Sequence, residues 1–182
     1  MDEIIDVPRE LYVGFDESNH GKFPEVYVAF YSNIPTDIEK RSGLSKKREQ
    51  NSNIIKIYKK REYTFLVMQE YEYKRTPSED LLGIIAASLM QGKINKDLEK
   101  LILLFDGKLD DKKRNRIKRI ISETYSLEYN NIALRYGAKF DKKYKLVNLA
   151  DQMAYYIFKN LDTNQIDNNK RRALLNPSKI IS

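Results

Sequence analysis

Short apolar runs separated by polar turns predict five β-strands along the chain. They cover residues 11–15, 25–31, 63–73, 101–105 and 132–136. The run 101–105 contains no polar residue, which is typical of a strand buried on both faces of a partly parallel sheet. The run 63–73 instead alternates between two faces, and it predicts a long strand at or near a sheet edge.

Three further segments have helical patterns. A capping-box sequence at residues 76–79 predicts a helix over residues 80–91. Asp110 can cap a second helix, whose apolar residues share one face. The strongest pattern covers residues 146–161, where apolar side chains recur every three or four positions. The resulting order, β-β-β-α-β-α-β-α, predicts one mixed sheet with helices on its faces.

The composition excludes several kinds of site. The chain has 182 residues, which suits one domain, and it contains no cysteine and one histidine. A disulfide framework, a thiolate zinc site and a cysteine nucleophile are therefore excluded, and a bound metal ion would need carboxylate ligands. The N-terminus lacks a signal-peptide pattern, and the longest apolar stretch, residues 81–92, is too short to cross a bilayer. We therefore expect a cytoplasmic protein without membrane contact.

Positive charge is concentrated in one part of the sequence. The net charge is +7, and residues 40–61 alone hold nine basic residues and one acid. We call residues 40–61 the basic segment; it interrupts the connection between the second and third predicted strands and suits a polyanionic partner. A second basic run, residues 112–119, lies in the second predicted helix. Either run could also be an ordinary solvated surface.

Aspartates occur at the ends of two predicted strands and within the last helix. Asp16 follows the first strand, Asp106 follows the fourth, and Asp151 lies beside the apolar stripe of the helix with no cation three or four positions away. Neighbouring parallel strands present their carboxyl ends at one edge of a sheet, where sites form. A divalent ion would relieve the repulsion among three such carboxylates, and oxygen ligands suit Mg²⁺ or Mn²⁺.

Each of these residues also has a simpler interpretation. Asp16 begins a polar turn, Asp106 forms a turn dipeptide with the glycine after it, and Asp151 could reach solvent. Glu17 can join Asp16 only if the first strand ends before it, because successive side chains of a strand point to opposite faces. His20 fits either a polar turn or a group that approaches a phosphate.

The element order and the places of the acids resemble the ribonuclease H-like superfamily. Residues 12–18 (Tyr-Val-Gly-Phe-Asp-Glu-Ser) and 149–155 (Leu-Ala-Asp-Gln-Met-Ala-Tyr) are similar to the two motifs of a large uncharacterised family. Residues 105–107, together with residues 16–17, are similar to type 2 ribonuclease H. The resemblance covers residues 11–160, and specific letters match at its two ends.

The resemblance implies an α/β fold with a five-stranded mixed sheet in the order 3-2-1-4-5 and helices on both faces. It implies a single domain at residues 1–164, with a basic insertion at about 36–62 and a polar basic tail at 165–182. Residues 18–22 depart from the Gly-Arg-Gly element with which type 2 enzymes read the ribose 2′-hydroxyl. The resemblance therefore does not extend to the distinction between RNA and DNA.

The activity that the resemblance implies is hydrolysis of phosphodiester bonds in nucleic acid (DNA, RNA or hybrid) with two Mg²⁺ or Mn²⁺ ions. Asp16, Glu17, Asp106 and Asp151 would be the catalytic and metal-binding residues, and Asp80 is the alternative to Glu17. The side chains that would contact nucleic acid are His20, Lys22, Lys46, Lys47, Arg48, Lys59, Lys60 and Arg61. The rival functions are an inactive nucleic-acid-binding module of the same fold and a domain whose basic segment binds an acidic protein.

Overall fold

The computed structural model describes residues 9–18, 21–41, 44, 60–95, 97–161 and 171–175. The strands of its central sheet are β1 (Glu10–Ser18), β2 (Glu25–Ser32), β3 (Tyr63–Met68), β4 (Lys100–Asp106) and β5 (Ile132–Gly137). They lie in the order β3-β2-β1-β4-β5. β1 pairs antiparallel with β2 and parallel with β4. The predicted mixed sheet and its strand order are confirmed.

Helices cover both faces of this sheet. Those in the described part of the chain are α1 (Glu70–Arg75), α2 (Leu81–Leu89), α3 (Asp111–Tyr125) and α4 (Lys145–Lys159). Val13 and Phe15 of β1 pack with α2 and α3 on one face, whereas Tyr12 packs with α4 on the other. The sheet therefore separates two apolar cores, as predicted. None of the described helices is long and apolar enough to cross a membrane.

The burial of β4 agrees with its apolar sequence. Leu101 and Leu103 face the core beneath α2 and α3, and Ile102 and Leu104 face the core beneath α4. β1 and β5 flank β4, and both run parallel to it. The carboxyl ends of β1, β4 and β5 therefore meet at one edge of the sheet, which we call the carboxyl edge.

β3 and α1 differ from the prediction for residues 63–73. β3 ends at Met68, and α1 follows it instead of a continued strand. Gln69 and Glu72 form a capping box, in which the backbone N–H of Gln69 donates to Glu72 Oε2 at 2.8 Å. This local capping overrides the alternating pattern after Met68. β3 does lie at the sheet edge, as predicted.

The start of α2 also differs from the prediction. The expected capping box at residues 76–79 is not formed, because Thr76 caps the end of α1 and Asp80 is the N-cap residue of α2. The prediction for α3 is confirmed, since the Asp110 side chain accepts a hydrogen bond from the backbone N–H of Lys113 at 2.7 Å.

Part of the C-terminal tail lies along the edge strand β3. The backbone N–H of Ala173 donates to the Phe65 carbonyl at 2.7 Å, and Arg172 forms a parallel bridge with Phe65. Ala173 and Leu175 also pack against the core beneath α2 and α3. Residues 171–175 are therefore held on the domain, whereas the sequence suggests a loosely held tail.

Candidate functional site

Asp16 and Asp106 lie side by side at the carboxyl edge. The parallel register of β1 and β4 pairs Phe15 with Phe105, one residue before each aspartate. The two phenylalanine rings stack with centroids 4.7 Å apart in the core beneath α2 and α3. Because the next side chain of each strand points to the other face, Asp16 and Asp106 share the face that α4 covers.

Gly14 allows α4 to pack closely against this part of β1. A Cβ atom on Gly14 would lie 2.5 Å from the Leu146 carbonyl carbon and 2.7 Å from the Val147 nitrogen. Only glycine therefore permits this approach of the helix backbone. Asp151 lies about one helical turn beyond Val147, and Asp16 lies two residues beyond Gly14. The contact thus brings Asp151 towards Asp16.

The charges of neighbouring acids act on Asp16. Burial, together with the negative charges of Glu17, Asp151 and Asp106, raises the pKa of Asp16 to about 9. The backbone N–H of Glu17 donates to Asp16 Oδ1 at 2.8 Å and acts in the opposite direction. We call Asp16, Asp106 and Asp151 the acidic cluster. Its members come from three separate elements, and the charges of Asp106 and Asp151 both act on Asp16.

Backbone donors orient the Asp106 carboxylate. Its Oδ1 atom accepts hydrogen bonds from the N–H groups of Gly107 at 3.0 Å and Phe140 at 2.8 Å. Gly107 has a φ of +101°, which favours glycine. Asp106 can therefore be both a turn residue and part of a site, because the turn holds its carboxylate in place.

Asp151 lies beside a polar network on α4. It is 7% exposed, and its Oδ2 atom is fully buried. One turn earlier, Asn148 accepts a hydrogen bond from Gln152 Nε2 at 2.6 Å and donates to the Asp141 carbonyl at 2.9 Å. Asp151 therefore lies beside the core, as the helical pattern predicts, and not on the solvated face.

A further acid near the carboxyl edge, Asp141, belongs to none of the motifs found in the sequence. This residue is 2% exposed and lies in the 3-10 turn Phe140–Lys142, between β5 and α4. The turn is tied to Asp106 by the Phe140 N–H and to α4 by Asn148. The rule that selects Asp106, an acid after a parallel strand, also selects Asp141 when it is applied to β5.

The two predicted alternatives for a fourth acid do not lie on the face of the acidic cluster. β1 continues past Glu17, which stands opposite Tyr27 in the register and points away from the face of Asp16. Both carboxylate oxygens of Asp80 accept hydrogen bonds from the Arg116 guanidinium. These bonds lower the pKa of Asp80. Asp80 is therefore balanced by its own cation, whereas the charge of Glu17 acts on Asp16.

The predicted nucleic-acid contacts are described in part. His20, Lys46, Lys47, Arg48 and Lys59 lie outside the described residues. Lys22 and Lys60 are exposed. Arg61 donates to Asp37 Oδ2 at 3.0 Å, and Asp37 is buried and also binds Lys145. Arg61 therefore contributes to the fold, and its contact with nucleic acid stays a prediction.

The acidic cluster does not have the geometry of a completed metal site. Among the residues that the structure describes, no three His, Cys, Asp or Glu side chains are arranged to hold a metal ion. The donor chemistry nevertheless fits, since the cluster offers only carboxylates, the ligands that Mg²⁺ and Mn²⁺ prefer. A cation there would offset the repulsion that raises the pKa of Asp16.

The strand order and the helices on both faces define a ribonuclease H-like fold. RNase HII from Archaeoglobus fulgidus, in its complex with PCNA, matches with a TM-score of 0.55 and 19% identity, over 91% of this chain and 82% of that chain. Ribonuclease H2 from Pyrococcus horikoshii OT3 matches with a TM-score of 0.53 and 16% identity, over 89% and 80%. Bst-RNase HIII in complex with Mn²⁺ matches with a TM-score of 0.52 and 17% identity, over 85% and 53%. The chain thus spans about half the length of that last enzyme.

The sequence matches no protein-family model, and no curated protein matches it. At identities of 16–19% the solved structures establish the fold. An argument about activity therefore depends on the chemistry of the site.

Proposed function

We propose that the protein is a divalent-metal-dependent nuclease. The observation that carries the proposal is that Asp16 and Asp106 end neighbouring strands at the carboxyl edge of a ribonuclease H-like sheet, and that burial and the charges of Glu17, Asp151 and Asp106 raise the pKa of Asp16. Acids that repel one another in a buried place cost stability unless a cation binds them. Metal binding accounts for their presence together.

Asp16, Asp106 and Asp151 would hold the metal, and Asp141, on the turn bonded to Asp106 and α4, would supply the further ligand in place of Glu17, which points to the other face. Divalent ions, when bound, activate water and stabilise the charge that develops on the phosphate and the leaving oxygen. The likeness to an enzyme in complex with Mn²⁺ supports Mn²⁺ or Mg²⁺, and we expect a pair of ions. The backbone bonds to Asp106 hold its carboxylate in position before substrate binds.

The distribution of positive charge supports nucleic acid as the substrate. The basic segment, residues 40–61, can neutralise phosphates regardless of base sequence. Its N-terminal part lies against the loop that precedes α4, where the backbone N–H of Arg41 donates to the Lys143 carbonyl at 2.8 Å. The same loop carries Lys139 and Lys142. A polyanion on these side chains would lie on the face of the sheet that holds the acidic cluster.

The second candidate function is an inactive nucleic-acid-binding module of the same fold. The observation in its favour is that no three acids among the described residues are arranged to hold a metal ion. In that case the basic segment would be the functional part, and the acidic cluster would bind nothing.

Thermal melting with and without millimolar Mn²⁺ or Mg²⁺ separates the two functions. For the nuclease, we expect metal to raise the melting temperature of the parent protein, because an ion that binds only the folded state stabilises it. Asp16→Asn should abolish this rise. Asp97→Asn is the matched control, because Asp97 is exposed and lies between α2 and β4, away from the carboxyl edge.

Cleavage of labelled single-stranded DNA, duplex DNA, RNA and RNA–DNA hybrid in Mn²⁺ completes the test. Asp16→Asn and Asp151→Asn should each reduce cleavage by at least about a thousandfold and leave binding in EDTA unchanged. A variant that cleaves at the parent rate would show that the acidic cluster is not the active site. Binding without a metal shift and without cleavage would favour the binding module.

A further inference from the structure

A cleft opens at the carboxyl edge on the face of the sheet opposite the acidic cluster. It lies between the β1–β2 connection, α1 and the first turns of α2 and α3, and its volume is about 1050 Å³. Tyr27, Leu81 and Ile117 form an apolar floor, and Phe23 and Tyr73 form one wall. The volume reaches the upper end of the range of ligand-binding pockets.

The cleft and the acidic cluster lie on two faces of the same sheet edge. Tyr27 in the cleft stands opposite Glu17 in the β1–β2 register, and the preceding residue, Asp16, points to the other face. Asp110 also lines the cleft, four residues after Asp106. A nucleic-acid strand that crosses this edge therefore passes from the acidic cluster into the cleft.

Basic side chains of α3 form the wall opposite Phe23 and Tyr73: Lys112, Lys113, Arg116 and Arg119. Arg116 is engaged by the buried Asp80. Lys112 pairs with Glu79 at 3.3 Å in an exposed contact, which phosphate can replace at little cost because such surface pairs are weak. Lys113 is exposed in the first turn of α3, and its backbone N–H already binds the Asp110 carboxylate, so only its ammonium group is available to a phosphate. Lys112 and Lys113 are therefore the side chains of this wall that can bind a phosphate.

The carboxylate in the floor of the cleft is already engaged. Glu25 is 2% exposed and accepts hydrogen bonds from the Tyr27 hydroxyl and from the backbone N–H of Gly21 at 2.7 Å. The Glu25 carboxylate therefore already has two hydrogen-bond donors, and it orients the Tyr27 ring in the floor of the cleft.

Phe23 and Tyr73 provide an aromatic surface at the mouth of the cleft. Their ring centroids are 5.2 Å apart, with an angle of 55° between the planes. Tyr73 is 41% exposed, so part of its side chain faces solvent beside Phe23. Exposed aromatic rings beside basic side chains are a common platform for unpaired bases.

We infer that the cleft binds an unpaired nucleotide of the substrate, with its base on Phe23 and Tyr73 and its phosphate at Lys112 and Lys113. The inference rests on the proposed nuclease function and specifies the substrate class: nucleic acid with a single-stranded nucleotide beside the bond that is cleaved. A base paired within an intact duplex is stacked on both sides and cannot enter the cleft.

Fluorescence anisotropy in EDTA tests this without cleavage. The probes are a blunt labelled duplex and the same duplex with a three-nucleotide single-stranded overhang, prepared in DNA and in RNA. The parent protein should bind the overhang about tenfold more tightly than the blunt end, the size expected from stacking of one base. Tyr73→Leu combined with Lys113→Gln should remove this preference and leave the affinity for the blunt duplex unchanged.

Tyr71→Leu combined with Arg75→Gln is the matched control. These residues lie on α1 outside the lining of the cleft, where the Arg75 guanidinium is 5.9 Å from the centre of the Tyr71 ring, and Tyr71 is 59% exposed. This double variant should keep the parent preference. Equal loss in both double variants, or no preference in the parent, would overturn the inference. Circular dichroism melts establish that each variant is folded.

The test of the cleft and the test of the nuclease function can fail independently of each other. Asp16→Asn should keep the overhang preference, because Asp16 points to the other face of the sheet. Cleavage without an overhang preference would overturn the assignment of the cleft alone. An overhang preference in a protein that cleaves no substrate would support the cleft and overturn the nuclease.

Discussion

The buried and half-buried acids of this protein differ in how their charge is balanced. Asp37 and Asp80 each bind a basic side chain, and their pKa values are lowered as a result. Asp16 lies among other acids, and burial together with their charges raises its pKa. The first kind of environment is typical of structural ion pairs. The second is typical of sites that bind or transform a ligand.

Asp37 allows a test of the first kind of environment, the structural ion pair. Burial opposes its ionised form, but hydrogen bonds from Lys145, Ser32 and Arg61 outweigh burial and hold its pKa below the usual 3.8. A pKa lowered by folding adds stability above the unfolded value, and this stability is lost as the pH falls through the folded value. Asp37→Asn should therefore lower the free energy of unfolding by about 2 kcal/mol at pH 7.

Urea denaturation at pH 7 and at pH 3 measures this effect. The difference between Asp37→Asn and the parent should shrink at pH 3, because that pH is below the ordinary aspartate pKa of 3.8 and the stability that comes from the lowered pKa decreases there. Asp97→Asn should match the parent at both values of pH. A difference that is the same at pH 3 and pH 7 would show that packing, and not charge, explains the effect.

Asp141 allows a test of the second kind of environment, in which an acid contributes to a ligand-binding site. The 3-10 turn that carries it is bonded to Asp106 and to α4, so its carboxylate is placed to serve the site or to hold the turn. If it serves the metal site, Asp141→Asn should reduce the Mn²⁺-induced rise in melting temperature by at least half. If it only holds the turn, the metal-free melting temperature should fall and the metal-induced rise should remain. Melting curves with and without Mn²⁺ distinguish the two results.

Among the secondary-structure elements, α4 connects the fold to the acidic cluster. Its first residue, Lys145, is tied to the buried Asp37 at 2.7 Å. Its first turn packs on Gly14 of β1, and its middle carries Asp151. The position of Asp151 therefore depends on two contacts near the N-terminal end of the helix, neither of which involves the site itself.

Gly14→Ala should separate the helix from the strand. The added methyl group would lie 2.5 Å from helix backbone, which cannot move without shifting α4. We expect a loss of about 1–3 kcal/mol of stability and a reduced Mn²⁺-induced rise in melting temperature. Denaturant unfolding and metal titration of the same variant measure both effects.

Gly83→Ala is the matched control for Gly14→Ala. A Cβ atom at Gly83 would lie 2.6 Å from the Ile120 Cδ1 atom, on the face of the sheet opposite α4. This variant can change stability, but it should retain the parent metal response. A normal metal response in Gly14→Ala as well would show that the close approach of α4 is irrelevant to the site.

In the molecule as a whole, charge is divided between regions with different tasks. The basic segment carries an excess of positive charge, whereas the rest of the chain is close to neutral. The acidic cluster lies on one face of the sheet, and the cleft lies on the other, at the same edge. This division suits a protein that attracts a polyanion with one region and acts on it with another.

Replacing Lys46, Lys47 and Arg48 with glutamine tests the attraction. Each lost phosphate contact lowers the slope of log affinity against log salt by about 0.9 for duplex DNA, so we expect a total change of about 3. Anisotropy titrations between low and moderate salt measure this slope. The melting temperature should stay at the parent value.

A control with the same change in net charge replaces Arg9, Lys93 and Lys100 with glutamine. These residues form ion pairs at the end of the sheet opposite the carboxyl edge. Their replacement should leave the salt slope unchanged. Equal slopes in the two triple variants would mean that the net charge of the protein, and not the basic segment, attracts nucleic acid.

Local patterns in the sequence were enough for much of the fold. Hydrophobic periodicity located the five strands and three of the four helices in the part of the chain that the structure describes, and the apolar run of β4 indicated its burial on both faces. Helix α1 was missed, because the alternation of residues 63–68 continues by chance into a segment that Gln69 and Glu72 cap as a helix. Capping of this kind competes with strand pairing, and a pattern alone does not show which wins.

The sequence established which residues could form an acidic site, because an acid at the end of an apolar strand is a local feature. Tertiary structure decided which of them meet. The extension of β1 past Glu17 placed that side chain on the other face, and Arg116, 36 residues away, neutralised Asp80. Strand register and contacts between distant residues set these outcomes, and neither leaves a local trace in the sequence. The closeness of α4 to Gly14 and the cleft beside Tyr73 arise in the same way, from packing between elements far apart in the chain.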